Sequence, residues 1–121
     1  MEENVHMTGE LRMVATKDGV VVLDETVSNL VVLQGRERFA KLLSGGETDY
    51  VTKFSIGTGT TSPSSGDTDL QTQVTISSGV TAKAIDDATY PAANKVKFAF
   101  KLTETEGNGN DISEFALRAD D

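Results

Sequence analysis

The stretch Lys95-Val96-Lys97-Phe98-Ala99-Phe100-Lys101-Leu102-Thr103 gives the clearest indication of the fold. Apolar side chains alternate in it with lysine and alanine, and successive side chains of a β-strand point to opposite faces. One face therefore carries Val96, Phe98, Phe100 and Leu102. We expect a strand over this stretch, with that face turned into the core and Phe98 among the core residues.

The same alternation recurs on the N-terminal side of this strand. Leu11, Met13 and Ala15 alternate with more polar residues up to Asp18-Gly19, a dipeptide that favours a tight hairpin turn. The strand after the turn, Gly19 to about Val27, is rich in valine, and its run Val20–Leu23 predicts burial on both faces. A third strand, Tyr50 to Gly57, is predicted to end at the Gly57-Thr58-Gly59 break.

The remaining chain is divided between strands and polar loops. Strand character returns over Thr72–Ile85, with a break at residues 77–79, and again over Ile112–Leu117. Residues 58–69 contain no large apolar side chain and predict a long exposed loop. Residues 86–94 predict a second polar loop, and residues 107–110, Gly-Asn-Gly-Asn, a turn.

One helix is predicted between the second and third strands. Phe39, Leu42 and Leu43 recur at helical spacing within residues 35–43, with charged side chains on the other side. Ser44-Gly45-Gly46 follows, as is typical of a helix end where a left-handed glycine satisfies the last carbonyls.

These patterns predict an all-β fold: an antiparallel β-sandwich, jelly-roll-like, of about seven or eight strands with one short α-helix. A parallel sheet is disfavoured because it needs repeated helical crossovers. We expect residues 1–8 to be a flexible leader, residues 9–117 a single domain and residues 118–121 a polar tail.

Charge and composition exclude several function classes. Eleven basic against nineteen acidic residues give a net charge of −8, which repels nucleic-acid phosphates and anionic membranes. There is no cysteine, so disulfides, thiolate metal sites and cysteine nucleophiles are excluded. No apolar run approaches the length of a membrane helix, and the acidic N-terminus is unlike a secretory signal, which predicts synthesis in a cytoplasm.

The residues do not combine into a catalytic site. The only histidine is His6, in the predicted leader, so a serine triad lacks an oriented base. Pairs of acids occur at Asp67/Asp69, Asp86/Asp87 and Asp111/Glu114; calcium binding or sugar hydrolysis would need such pairs, but caps of turns are the favoured interpretation. We therefore assign no catalytic, cofactor-binding or metal-ligating residue and predict that the protein is not an enzyme.

Two further features have a structural and a functional interpretation. Gly57-Thr58-Gly59 has the glycine content of a phosphate-binding loop, but no helix follows it, so a tight turn is favoured. Arg36 and Arg38 form a local basic cluster, for which a solvated helix face is the default and an acidic patch on another chain the alternative.

Four segments in this order resemble small structural proteins of tailed phages and archaeal tailed viruses. They are the hairpin with Asp18-Gly19; Asn29–Val32 with the helix ending Leu42-Leu43-Ser44-Gly45; Phe54–Thr61 continuing to Leu70; and Asn108-Gly109 with Ile112–Leu117. Such proteins tend to carry a glycine where this chain has Ala116.

The resemblance implies an accessory virion component that packs by protein–protein contacts: a capsid decoration or head-fibre protein, a neck or collar part, or a tail, baseplate or fibre-attachment module. It implies homo-oligomers, trimers among them, and other virion proteins as partners, with assembly in the host cytoplasm. The long loop at residues 58–69 is then a natural docking arm. The alternative function is a carbohydrate-binding β-sandwich, which is weakened because the chain has no tryptophan and only Tyr50 and Tyr90 as tyrosines.

Overall fold

The computed structural model describes residues 7–119, which form seven strands and one helix. The elements are β1 (Gly9–Lys17), β2 (Val20–Asn29), α1 (Leu33–Ser44), β3 (Val51–Gly57), β4 (Lys83–Ala84), β5 (Asp87–Ala92), β6 (Lys95–Ala99) and β7 (Glu114–Ala119). The strands pair antiparallel in three sheets, β1–β2, β4–β3–β7 and β5–β6. The predicted β-rich, antiparallel fold with one short helix is confirmed. β7 includes Arg118 and Ala119, which the sequence had placed in the tail.

The core lies around β3. Phe54 and Ile56 have no exposed surface, and Ile76 packs with them at 2% exposure. The ring of Phe100 stacks on Phe54 at a centroid distance of 4.4 Å. Partly buried apolar residues complete the cluster: Val74, Ile85, Phe100, Leu102, Ile112 and Phe115.

Only half of the apolar face predicted for residues 95–103 reaches this core. Phe100 and Leu102 pack against it as predicted, but β6 ends at Ala99, before either of them. Val96 is 49% exposed, and Phe98 is half-buried outside the core cluster. The core position predicted for Phe98 is therefore wrong, because among the described residues β6 pairs with β5 and contacts no other strand.

Two other predictions for the second half of the chain are wrong. Of the strand predicted over residues 72–85, only β4 and isolated bridges form, and the rest is irregular. The predicted break is present: Gly79 has φ +73° and the Val80 N–H donates to the Ser77 carbonyl at 2.8 Å. Residues 86–94, predicted as a loop, contain β5. All residues of β5 are exposed, so backbone pairing with β6 holds it as a strand without the apolar alternation that reveals a strand in sequence.

The N-terminal hairpin forms at the predicted turn. Asp18 and Gly19 both have positive φ, 52° and 77°, as a type I′ two-residue turn requires. The burial predicted for the valine run is wrong, because every residue of β2 is exposed.

Helix α1 ends as the sequence predicts. Gly45 is left-handed at φ 79°, and the Gly46 N–H donates to the Lys41 carbonyl at 2.8 Å. None of the residues of α1 is buried. Among residues 7–119 no helix is long and apolar enough to span a bilayer.

The described chain has two parts that differ in packing. We call residues 7–44 the arm (β1, β2 and α1) and residues 45–119 the body. Among the helices and strands of residues 7–119, β1 and β2 contact only each other, and α1 contacts none. The body contains the whole core cluster.

Candidate interaction surface

The arm exposes most of the large apolar side chains that face solvent. Of the seventeen exposed in the described residues, twelve belong to the arm, although the arm is only a third of their length. Monomeric soluble proteins rarely leave apolar side chains uncovered in such concentration. The twelve are Met7, Val14, Val20, Val21, Val22, Leu23, Val27, Leu30, Leu33, Phe39, Leu42 and Leu43.

The strand register sorts the hairpin into one apolar and one polar face. Residues paired directly across two antiparallel strands share a face. Leu11 pairs with Val27 and Ala15 with Leu23, while Met13, on the same face, pairs with Glu25. We call Leu11, Met13, Ala15, Leu23 and Val27 the apolar hairpin face.

The opposite face of the hairpin is polar and carries its own ion pair. Arg12 donates to both carboxylate oxygens of Asp24 at 3.0 and 2.9 Å. This contact raises the pKa of Arg12 and lowers that of Asp24. Beyond a one-residue irregularity between Ala15 and Thr16, Val20, Val21 and Val22 extend the exposed apolar surface around the hairpin tip.

Helix α1 adds a second uncovered apolar surface. Phe39 and Leu43 are 39% and 77% exposed, and Leu42 beside them is also exposed. Three charged residues of the helix form ion pairs with residues close in sequence: Lys41 with Glu37 at 2.9 Å, and Arg38 with Glu47 at 3.4 Å. The basic cluster predicted at Arg36 and Arg38 is thus tied in part to the chain's own acids.

A cleft of about 380 Å³ lies at the root of the hairpin, next to the start of the helix. Among residues 7–119, Arg36 is the only charged residue in its walls, so these residues bring no pair of groups for acid–base chemistry to the cleft. Its lining residues are Met7, Thr8, Gly9, Ser28, Asn29, Leu30, Val31 and Arg36.

The long loop at residues 58–71 is held at both ends by Glu114 of β7. The Glu114 carboxylate accepts the N–H groups of Gly59 at 2.8 Å, Gln71 at 2.7 Å and Thr72 at 3.0 Å. Ser113 Oγ adds a bond of 2.6 Å to the Gly59 carbonyl. The loop has no helix or strand, as predicted, but its ends are fixed to the body.

We call the contacts between the Glu114 carboxylate and the two ends of the loop the clamp. Electrostatics and close packing explain why it needs glutamate at position 114 and glycine at positions 57 and 59. Burial raises the pKa of Glu114, but the three backbone donors together outweigh that effect, so the pKa lies below its ordinary value. A Cβ on Gly57 would come within 2.3 Å of the Glu114 carboxylate, and one on Gly59 within 2.4 Å of Gln71. Gly57-Thr58-Gly59 therefore forms a cradle, and it holds the chain's own carboxylate.

Arg118, four residues after Glu114, binds the same region from the same strand. Its Nε donates to Ser55 Oγ at 2.8 Å, and its terminal nitrogen binds Asp69 and Gln73. The joint role of Glu114 and Arg118 was not predicted from the sequence. The available signal was their spacing, since charged residues four apart lie on one face of a strand.

The middle of the loop reaches the arm. The Leu33 N–H, at the start of α1, donates to the Ser65 carbonyl at 2.8 Å, which satisfies one of the unpaired donors of a helix N-terminus. Between Ser64 and Asp67 the loop makes its own turn, with backbone and carboxylate bonds of 3.0 and 2.9 Å. The long loop thus bridges β7 and α1.

The predicted carboxylate pairs act mostly within the chain. Asp69 binds Arg118 and the Leu70 N–H, and Asp87 caps the Ala88 N–H at 2.9 Å. Glu114 forms the clamp, and Asp111 is exposed. Within residues 7–119 no three acidic or histidine side chains group as metal ligands would. His6 lies outside the described residues.

The two tyrosines lie apart from the clefts. Tyr50 is 67% and Tyr90 78% exposed, and neither lines the cleft at the hairpin root or a smaller one beside Gln34 and Glu47. Exposed rings alone give a sugar platform no bounding walls or convergent polar groups. The arm is therefore the best-supported candidate site.

Comparison with protein-family models, with curated proteins and with solved structures finds no match to this chain.

Proposed function

We propose that this protein is a non-enzymatic structural component of a tailed-virus particle and acts by packing against copies of itself and other virion proteins. The observation that supports it most is the uncovered apolar surface of the arm, where twelve large apolar side chains face solvent. Exposing apolar surface to water costs roughly 25 cal/mol of free energy per Å². Contact with another protein chain removes this cost.

The body supports this proposal as a rigid carrier. We propose that its sheets form the two layers of a jelly-roll-like sandwich. Phe100 follows β6, and its ring lies 4.4 Å from Phe54 of β3 and 6.2 Å from Phe115 of β7. These aromatic contacts join the residue that follows β6 to the core around β3.

The proposal that the protein belongs to a virus particle rests on the resemblance described above. Two of the segments that carry this resemblance contact each other in the structure. Two of the resembling segments, Phe54–Leu70 and Ile112–Leu117, meet in the clamp between Glu114 and the long loop. The clamp orders an exposed loop without any catalytic group. A module that presents fixed loops and an apolar surface suits assembly.

Purified virus particles test this function. We expect mass spectrometry to find the chain in stoichiometric amounts in particles, and electron microscopy of particles made without it to lack a defined density. Purified wild-type particles that lack the protein would contradict the proposal. Particles whose morphology and infectivity are unchanged after deletion of its gene would contradict it as well. The matched control is an Asp111→Asn particle, in which an exposed acid outside the clamp is altered.

A further inference from the structure

The chain exposes more surface than a folded monomer of its mass. Its accessible surface is 9101 Å², whereas a compact monomer of 12.9 kDa exposes about 6,300 Å². The eight residues outside the described range contribute about 1,300 Å² even if fully exposed. Without them about 7,800 Å² remain, against about 6,000 Å² expected for the other 113 residues.

This excess, about 1,800 Å², can be compared with the size of protein interfaces. One partner in a standard interface buries about 800 Å². The excess of each copy therefore equals about two such patches. The excess surface of each copy is large enough for contacts with two neighbours.

The exposed apolar residues indicate which surface forms the patches. Only five of the seventeen exposed large apolar side chains lie in the body. An arm that packs on a second arm meets an equally apolar surface, which symmetric association supplies in every copy. An arm that packs on a body would leave much of its apolar surface against polar groups.

Charge favours the same arrangement. The arm carries five basic and five acidic residues, so its net charge is zero, whereas the body carries six basic and ten acidic residues, a net charge of −4. Arms can approach one another without net repulsion, while bodies repel. Association through arms therefore places the acidic bodies outward.

We infer that copies of this chain associate arm to arm, with the apolar hairpin face of each copy packed on the arm of one neighbour and the remaining apolar surface of its arm packed by the other. This inference rests on the proposed structural function and names the surface that performs it. Because two different patches per copy make a head-to-tail contact, the assembly contains three or more copies, arranged as a ring where the rotation between neighbours closes.

Adjacent residues of β2 provide a matched pair of variants. Val27 is on the apolar hairpin face, opposite Leu11, and is 43% exposed. Ser28 is on the polar face, opposite Glu10, where a lysine gains an oppositely charged partner. Val27→Lys and Ser28→Lys change the charge equally but place it on opposite faces.

Sedimentation velocity and native mass spectrometry measure the outcome on the full chain. We expect wild type and Ser28→Lys to form a species of three or more copies at micromolar concentration. Val27→Lys should weaken association at least a hundredfold, because it buries an ammonium group in an apolar contact. The thermal unfolding of its body should be unchanged.

A second variant keeps the inference testable if Val27→Lys misfolds. Leu43 is 77% exposed on α1, so Leu43→Lys leaves the fold of a single copy intact and should also weaken association. A monomeric wild type, or equal masses for Val27→Lys and Ser28→Lys, would overturn the arm interface. Either result leaves the particle test of the proposed function unaffected, since a virion protein can pack through another surface.

Discussion

Strands β2 and β3 have similar apolar content but opposite environments. Four consecutive residues of β3, Phe54 to Gly57, are buried, whereas all ten residues of β2 are exposed. β3 has a neighbour on each edge, β4 and β7, and aromatic rings stacked over it. β2 has β1 alone. Apolar content therefore predicts that a segment is a strand, while burial depends on what the rest of the chain brings to it.

This contrast has an energetic consequence. An isolated two-stranded hairpin is marginally stable in water. The arm has its cross-strand pairs, its turn, its helix cap and polar contacts with the body at Leu33 and Arg38, but among the described residues it contributes none to the core cluster. The body is stabilised by a core to which segments from Phe54 to Phe115 contribute. We expect the body to determine the global free energy of unfolding and the arm to gain most of its stability from association.

The largest expected effect is that of Phe54→Ala. Its side chain is fully buried and stacked on Phe100, so its removal should lower the free energy of unfolding by about 3–5 kcal/mol. Val21→Ala on exposed β2 should change it by less than about 0.5 kcal/mol. Phe98→Ala should cost clearly less than Phe54→Ala because Phe98 is half-buried. Urea unfolding followed by circular dichroism measures all three, and equal losses at residues 21 and 54 would abolish the distinction between arm and body.

A smaller effect is expected at the clamp. Glu114→Ala leaves the N–H groups of Gly59, Gln71 and Thr72 without their acceptor. We expect a loss of about 2–3 kcal/mol, since hydrogen bonds to a charged acceptor are among the stronger ones. Hydrogen exchange at these three amides should accelerate, while Asp111→Ala should leave it unchanged. If the amides of Glu114→Ala remain protected, the loop is held by something other than the carboxylate.

Features determined by neighbouring residues were predictable from sequence. The Asp18-Gly19 turn and the left-handed Gly45 follow from the backbone conformations that these residues tolerate. The β3 strand and its end at Gly57 follow from alternation. In each case the information lies within a few residues.

Features that depend on distant contacts were missed. β5 is a strand because it pairs with β6, and the valine run of β2 is exposed because no helix or strand of residues 7–119 other than β1 contacts it. The clamp joins Glu114 to residues 42 to 55 positions earlier in the chain. No local pattern encodes such a distance, although the glycines at positions 57 and 59 indicate that something approaches the backbone closely.

The smallest expected effect compares an acidic side chain of the body with one of the arm. Glu106 accepts Lys83 Nζ at 2.6 Å and the Thr103 N–H at 2.9 Å, and these bonds lower its pKa from the ordinary 4.5 to about 2. Because the folded pKa is the lower one, the stabilisation is complete above pH about 4.5 and is lost as the pH falls towards 2. The free-energy difference between wild type and Glu106→Gln should therefore shrink over this window in urea unfolding experiments. Glu37→Gln, which breaks an exposed pair on α1, should leave the unfolding of the body unchanged at every pH, because the helix contributes nothing to the core. A wild-type advantage over Glu106→Gln that persisted undiminished at pH 2 would mean that packing, and not the charge of Glu106, joins the Thr103 turn to Lys83.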